Sequence, residues 1–169
     1  LVYSLALLLV AFSFRVGGHI SVLPLTSQVA IIFHFMAFAL WIGSLYPLLM
    51  SSHSDDLASL QLTLKRFGDG AIAIVTALLA AGTLMLWELL DSWQEFITSA
   101  YGIALLIKFS LVLAILGLAV VNKLVLVPRL NREANANRLR ISIRQEMGLA
   151  IAILMTTSYL STIVGPAGH

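Results

Sequence analysis

The chain has 169 residues, 60% of them hydrophobic and 11% charged, with a mean hydropathy of +0.99, a balance far outside that of soluble domains. The net charge of +2 comes mainly from arginines in one loop, which points to membrane orientation rather than to nucleic acid, and the lack of cysteine excludes disulfides, thiolate metal sites and thiol nucleophiles. These values describe an integral membrane protein, read as one all-α domain over 1–169, in which His, Met and carboxylates are the side chains able to hold a soft or borderline metal.

Residues 1–14 are apolar, about 21 Å as a helix against the roughly 30 Å of a hydrocarbon core, and read as the tail of a longer spanning segment. A signal peptide would carry basic residues before the apolar run and a small-residue cleavage site after it; the sequence has neither there. Gly17, Gly18, His19 and Pro24 then turn the chain. A second segment, 28–50, is long enough to cross a bilayer yet contains His34. An ionisable group at that depth needs a partner or a role, because a charged one costs about 2.5–3.5 kcal/mol at the bilayer centre. On a helix His34 shares a face with Phe38 and Trp41, while Met36 points nearly the opposite way.

The polar stretch 51–65, with His53 solvated, is expected on the surface. A third segment, 67–90, is closed by Trp87 and Trp93 as interfacial anchors, and Glu88, Asp91 and Glu95 make its end acidic. The fourth runs over 101–122, with Asn122 placed to cap its last carbonyls. A basic loop follows, and a fifth segment, 143–164, ends at Gly165 and Pro166. Five apolar segments joined by short connections predict an antiparallel bundle of about five transmembrane helices, since lipid leaves no other way to satisfy the backbone.

Lys and Arg number six from Lys123 to Arg144, five of them between the fourth and fifth segments and the last at the start of the fifth, against two between the second and third (Lys65, Arg66), one between the first and second (Arg15) and none between the third and fourth. The positive-inside rule therefore places 51–65 and 123–142 in the cytoplasm, and His19, the acidic turn and the C-terminal His169 on the opposite side. His34 then lies about 9 Å below that opposite face by helix rise. Lys108, about seven residues into the fourth segment, is expected to pair with Glu88 or Asp91 rather than to snorkel. Glu146, beside Arg144, is expected to form ion pairs or to favour a helix N-terminus at the start of the fifth segment.

The order of motifs resembles the copper-resistance protein D (CopD) family of bacterial inner-membrane proteins. The matching stretches are Gly18-His19, His34 with Trp41-Ile42-Gly43 and Pro47, Arg66-Phe67 opening a segment with Gly82, Tyr101-Gly102 before Lys108, Asn122 with Pro128, and Glu146 with Pro166. Ser44 and Asp69 depart from the pattern. The resemblance implies a multi-pass inner-membrane protein that handles copper and meets periplasmic copper-binding proteins or other subunits of a membrane complex. It also implies further helices upstream of Leu1. The residues themselves offer His19 and His34 as imidazole ligands on one side of the membrane, with the Met85 thioether as the better third ligand. A haem-b electron carrier is the alternative, requiring His19 and His34 as axial pair, and a structural subunit without an ion is a third reading. The sequence contains no nucleophile elbow, phosphate loop or paired carboxylates, so no enzyme and no catalytic residue is expected.

Overall fold

The computed structural model describes residues 25–53, 56–89, 98–130 and 133–160, and these are helical apart from short turns. They form α1 (Leu25–Ser51), α2 (Leu57–Leu89), α3 (Ala100–Val121), a single π-helical turn (Asn122–Leu126) and α4 (Glu133–Tyr159). Among the described residues three stretches are long and apolar enough to cross a membrane: Gln28–Ser51, Leu57–Leu86 and Ala100–Leu126, of 24, 30 and 27 residues. At 1.5 Å per residue each exceeds the roughly 30 Å hydrocarbon thickness. The chain is thus an all-helical multi-pass membrane protein. The first expected segment, 1–14, and the end of the fifth lie outside the described residues.

Two element boundaries differ from expectation. The surface stretch expected over 51–65 is mostly helix: Asp56 caps α2, its Oδ1 accepting from the N–H groups of Ala58 and Ser59 at 3.1 Å each, so the helix starts ten residues before the apolar run. The basic loop expected over 123–142 is likewise short, because α4 already begins at Glu133. Buried positions on α4 fall at Ala136, Leu139, Ile143, Glu146, Ala150 and Ile153, a three-four alternation that keeps one face inward through residues whose polarity looked like loop.

The described residues of Leu1–Trp41 and Gly70–Leu89 form one compact unit, and those of Ile42–Asp69 and Leu90–His169 form a second. The second contains the apolar cluster. Leu45, Leu48 and Leu49 of α1, Leu60 and Leu64 of α2, Val127 and Leu130 after the π turn, and Ala136, Leu139 and Ile143 of α4 pack together at helical spacing. Leu139 is 1% exposed. Polar ties close the same region. Gln61 Nε2 donates to the carbonyls of Val127 (2.9 Å) and Pro128 (3.2 Å), and Arg140 Nε to that of Ser52 (2.9 Å). The turn after α1 and the turn before α4 therefore share one end of this unit, as the loop charges imply. Large apolar side chains cover the outside, Met155 of α4 being 69% exposed, a surface suited to lipid and not to water.

Candidate functional site

His34 is held within the first unit. Its Nδ1 lies 3.1 Å from the carbonyl oxygen of Leu78 on α2. A carbonyl can only accept, so Nδ1 carries the hydrogen, and in the neutral ring the lone pair resides on Nε2. Gly82, one turn beyond Leu78, makes the approach possible: a Cβ there would already touch His34 Cε1 at 3.5 Å and Nδ1 at 3.8 Å. A second imidazole-bearing residue, His19, lies outside the described residues. Met85 is half-buried on α2, seven residues after Leu78 and three after Gly82, and so on the face that receives His34. Among the described residues no three of His, Cys, Asp and Glu gather as a metal-binding group.

The imidazole arrangement is one that metal proteins use. A ligating histidine commonly donates its other N–H to a backbone carbonyl, which fixes the tautomer and aims the remaining nitrogen. The same bond also satisfies a histidine that ligates nothing. What it supplies is orientation, and the buried Trp41 two turns on keeps this stripe of α1 turned inward.

The second unit places its polar side chains differently. Lys123 Nζ donates to Asp69 Oδ1 and to Gly68 O, both at 2.7 Å. The pair is partly open, with side chains 31% and 63% exposed, and it borders a cavity of about 480 Å3 lined by Gln61, Lys65, Leu124 and Val127 among others. Asp69 is, with Ser44, one of the two positions expected to depart from the family pattern, and its partner sits immediately past the expected end of the fourth segment. An acidic and a basic residue, each isolated at a segment end, are the signal that could have joined them.

Asn122 and Glu146 correct two expectations. The Asn122 side chain does not cap helix carbonyls; its backbone N–H closes on Leu118 and Ala119, while Nδ2 donates to Glu146 Oε1 at 2.6 Å. Glu146 is not at a helix N-terminus, since α4 starts thirteen residues earlier, and it makes this amide bond in place of an ion pair with Arg144, which is exposed. It occupies one of the inward positions of the three-four stripe, 4% exposed. His53, expected to be merely solvated, is exposed and returns Nδ1 to Leu49 O at 2.9 Å. The partners expected for Lys108 lie at Asp91, outside the described residues, and at Glu88, whose side chain is not described.

Long apolar helices with a carbonyl-bonded histidine in one unit and hydrogen-bonded charges in the other define a polytopic membrane protein. The chain belongs to the copper resistance protein D family, whose model matches residues 61–160, more than half of the 169. The match includes Leu78, Gly82 and Met85 and all of α3 and the π turn; His34 precedes it. No curated protein and no solved structure matches the chain.

Proposed function

We propose that this protein handles copper at the bacterial inner membrane, carrying the ion across or passing it to a periplasmic copper-binding partner, through a site on the periplasmic side that includes His34 and His19. The observation that carries the reading is the Leu78 carbonyl's grip on His34 Nδ1, which fixes the orientation of this intramembrane imidazole, in a chain of the copper-resistance family. Imidazole accepts Cu(I) and Cu(II), and the Met85 thioether, one turn from Gly82, favours Cu(I) as a third ligand. Two or three neutral ligands hold copper loosely enough for exchange, as a conduit requires. No catalytic step is assigned to the chain.

Copper stoichiometry of the purified protein tests the site: His34→Ala and His19→Ala should each lower it without unfolding the helices. Unchanged binding in both variants overturns the assignment. A Soret band that vanishes in His34→Ala would transfer the histidines to haem b. The orientation rests on the loop arginines and lysines, which put 51–65 and 123–142 in the cytoplasm and the C-terminus in the periplasm. Single cysteines at Asn135 and Ser92, in a chain that has none, should react with an impermeant thiol reagent in intact cells only at Ser92. Labelling at Asn135 alone would reverse the map and move His34 to the cytoplasmic side.

A further inference from the structure

Two side-chain oxygens in the second unit are closed off from solvent and lack a hydrogen-bond partner: Asn122 Oδ1 and Ser142 Oγ. Both belong with one carboxyl. Asn122 Nδ2 donates to Glu146 Oε1 at 2.6 Å, and Ser142 precedes Glu146 by four residues on the inward face of α4, so the two side chains neighbour each other. Glu146 is 4% and Ser142 6% exposed, and a buried polar atom left unpaired is destabilising. Orphans of this kind need an occupant.

The chemistry of the pair indicates which one. An amide presents a donor and an acceptor side by side, whereas a carboxylate presents acceptors alone and uses only half of what the amide offers. A carboxylic acid uses both: Oε1 accepts from Nδ2–H while the hydroxyl on Oε2 donates to Oδ1, closing a ring of two hydrogen bonds. We propose that Asn122, Glu146 and Ser142 form a proton-binding site, in which Glu146 carries an exchangeable proton directed at Asn122 Oδ1. When that proton leaves for water, the Ser142 hydroxyl rotates to donate to the carboxylate left behind. A hard divalent cation takes six or more oxygens, and this site supplies one carboxyl, one amide oxygen and one hydroxyl.

The surrounding charges are engaged elsewhere. Lys123, next to Asn122, is bonded to Asp69 and Gly68; Arg140 of α4 reaches Ser52 O; His53 after α1 reaches Leu49 O. Lys65 and Arg66 of α2 and Arg138 and Arg144 of α4 are exposed. The π turn adds a separate indication, because such single wide turns inside helices are frequent at functional sites, and this one begins at Asn122. The site stands apart from the copper reading and survives its failure.

Infrared difference spectra of the full chain in copper-free liposomes, titrated with pH, test the proposal. Wild type should show a carboxylic-acid C=O band at neutral pH that is lost on alkaline titration. Glu146→Gln, which keeps a two-bond ring as an amide pair, should lose the band while retaining the fold. Asn122→Val should shift the band by removing the ring. A wild type without such a band, or a band that persists in Glu146→Gln, overturns the site. So does stabilisation of wild type by Na+ that is absent in Glu146→Gln, which would make a metal cation the occupant. Should the glutamine variant not fold, an unmoved band in folded Asn122→Val is itself sufficient to reject the proposal.

Discussion

The two compact units solve the problem of a polar group among apolar helices in different ways. In the first, one imidazole is met by a backbone carbonyl that exists in every helix, and the approach needs only the missing side chain of Gly82. The second adds pairs of side chains, Asn122 with Glu146 and Lys123 with Asp69, to such carbonyl contacts, beside an apolar cluster drawn from α1, α2, α4 and the residues after the π turn. A group held by a carbonyl can be removed with little structural loss, because the carbonyl keeps its own helical bond. Buried side-chain pairs cannot be halved without stranding a partner. Substitution in the first unit should therefore cost less stability than substitution in the second, and graded substitutions separate the two.

The largest effect is expected at the centre of the apolar cluster. Leu139→Ala should lower stability in detergent or lipid by about 2–5 kcal/mol, from lost burial and the cavity left behind. Next comes Asn122→Leu, which deprives the buried Glu146 of its amide donor and should cost about 1–3 kcal/mol. Adding Glu146→Leu to it should restore most of that loss, and a double variant as unstable as the sum of the singles would show that the two side chains do not interact. In the first unit His34→Phe, similar in bulk, should cost only about 0.5–1.5 kcal/mol for one hydrogen bond while removing copper binding. A larger loss there than at Asn122 would break the contrast between the units. Lys123→Met should fall below about 1 kcal/mol, since the pair it dissolves is partly open to solvent.

The smallest effect belongs to Asp56. Hydrogen bonds from the Ser59 side chain, then the Ser59 and Ala58 N–H groups, hold its exposed carboxyl below the usual carboxylate range. A depressed pKa in the folded state stabilises above the unfolded value and is lost as pH falls through the folded one. Protection of the Ala58 and Ser59 amides, relative to their intrinsic exchange rates at each pH, should therefore fall below about pH 4 in wild type and stay flat over that window in Asp56→Asn. Equal acid sensitivity in both proteins would remove Asp56 as the cap.

The part of the fold that was legible in the sequence owes this to length. Apolar runs over 28–50, 67–90 and 101–122 are too long for anything but membrane helices, and the structure contains them. His34 was visible through its cost. The second unit was harder because its helices extend past the apolar runs into polar residues: Asp56 starts α2 early, and Asn135, Asn137 and Arg138 conceal the beginning of α4. Glu146 was read against its sequence neighbour Arg144, whereas the fold presents it to Asn122, 24 residues away. The inward spacing of Ala136, Leu139 and Ile143 ahead of Glu146 was the signal available, and local charge outweighed it.

The π turn has a consequence for helical phase. Val127 N–H bonds to Asn122 O at 2.9 Å, a step of five residues, so one more residue is wound into this turn than an α-helix would hold. Each extra residue rotates the later part of the helix by about 100° about the axis. Asn122 and Lys123, at the head of this turn, serve different neighbours, one bonded to α4 and the other to α2. The segment leading to Leu130 is thus turned by about 100° from the setting that a continuous α-helix would give it. Sequence length can change by one residue at this turn without rotating the apolar face of the spanning part away from its partners.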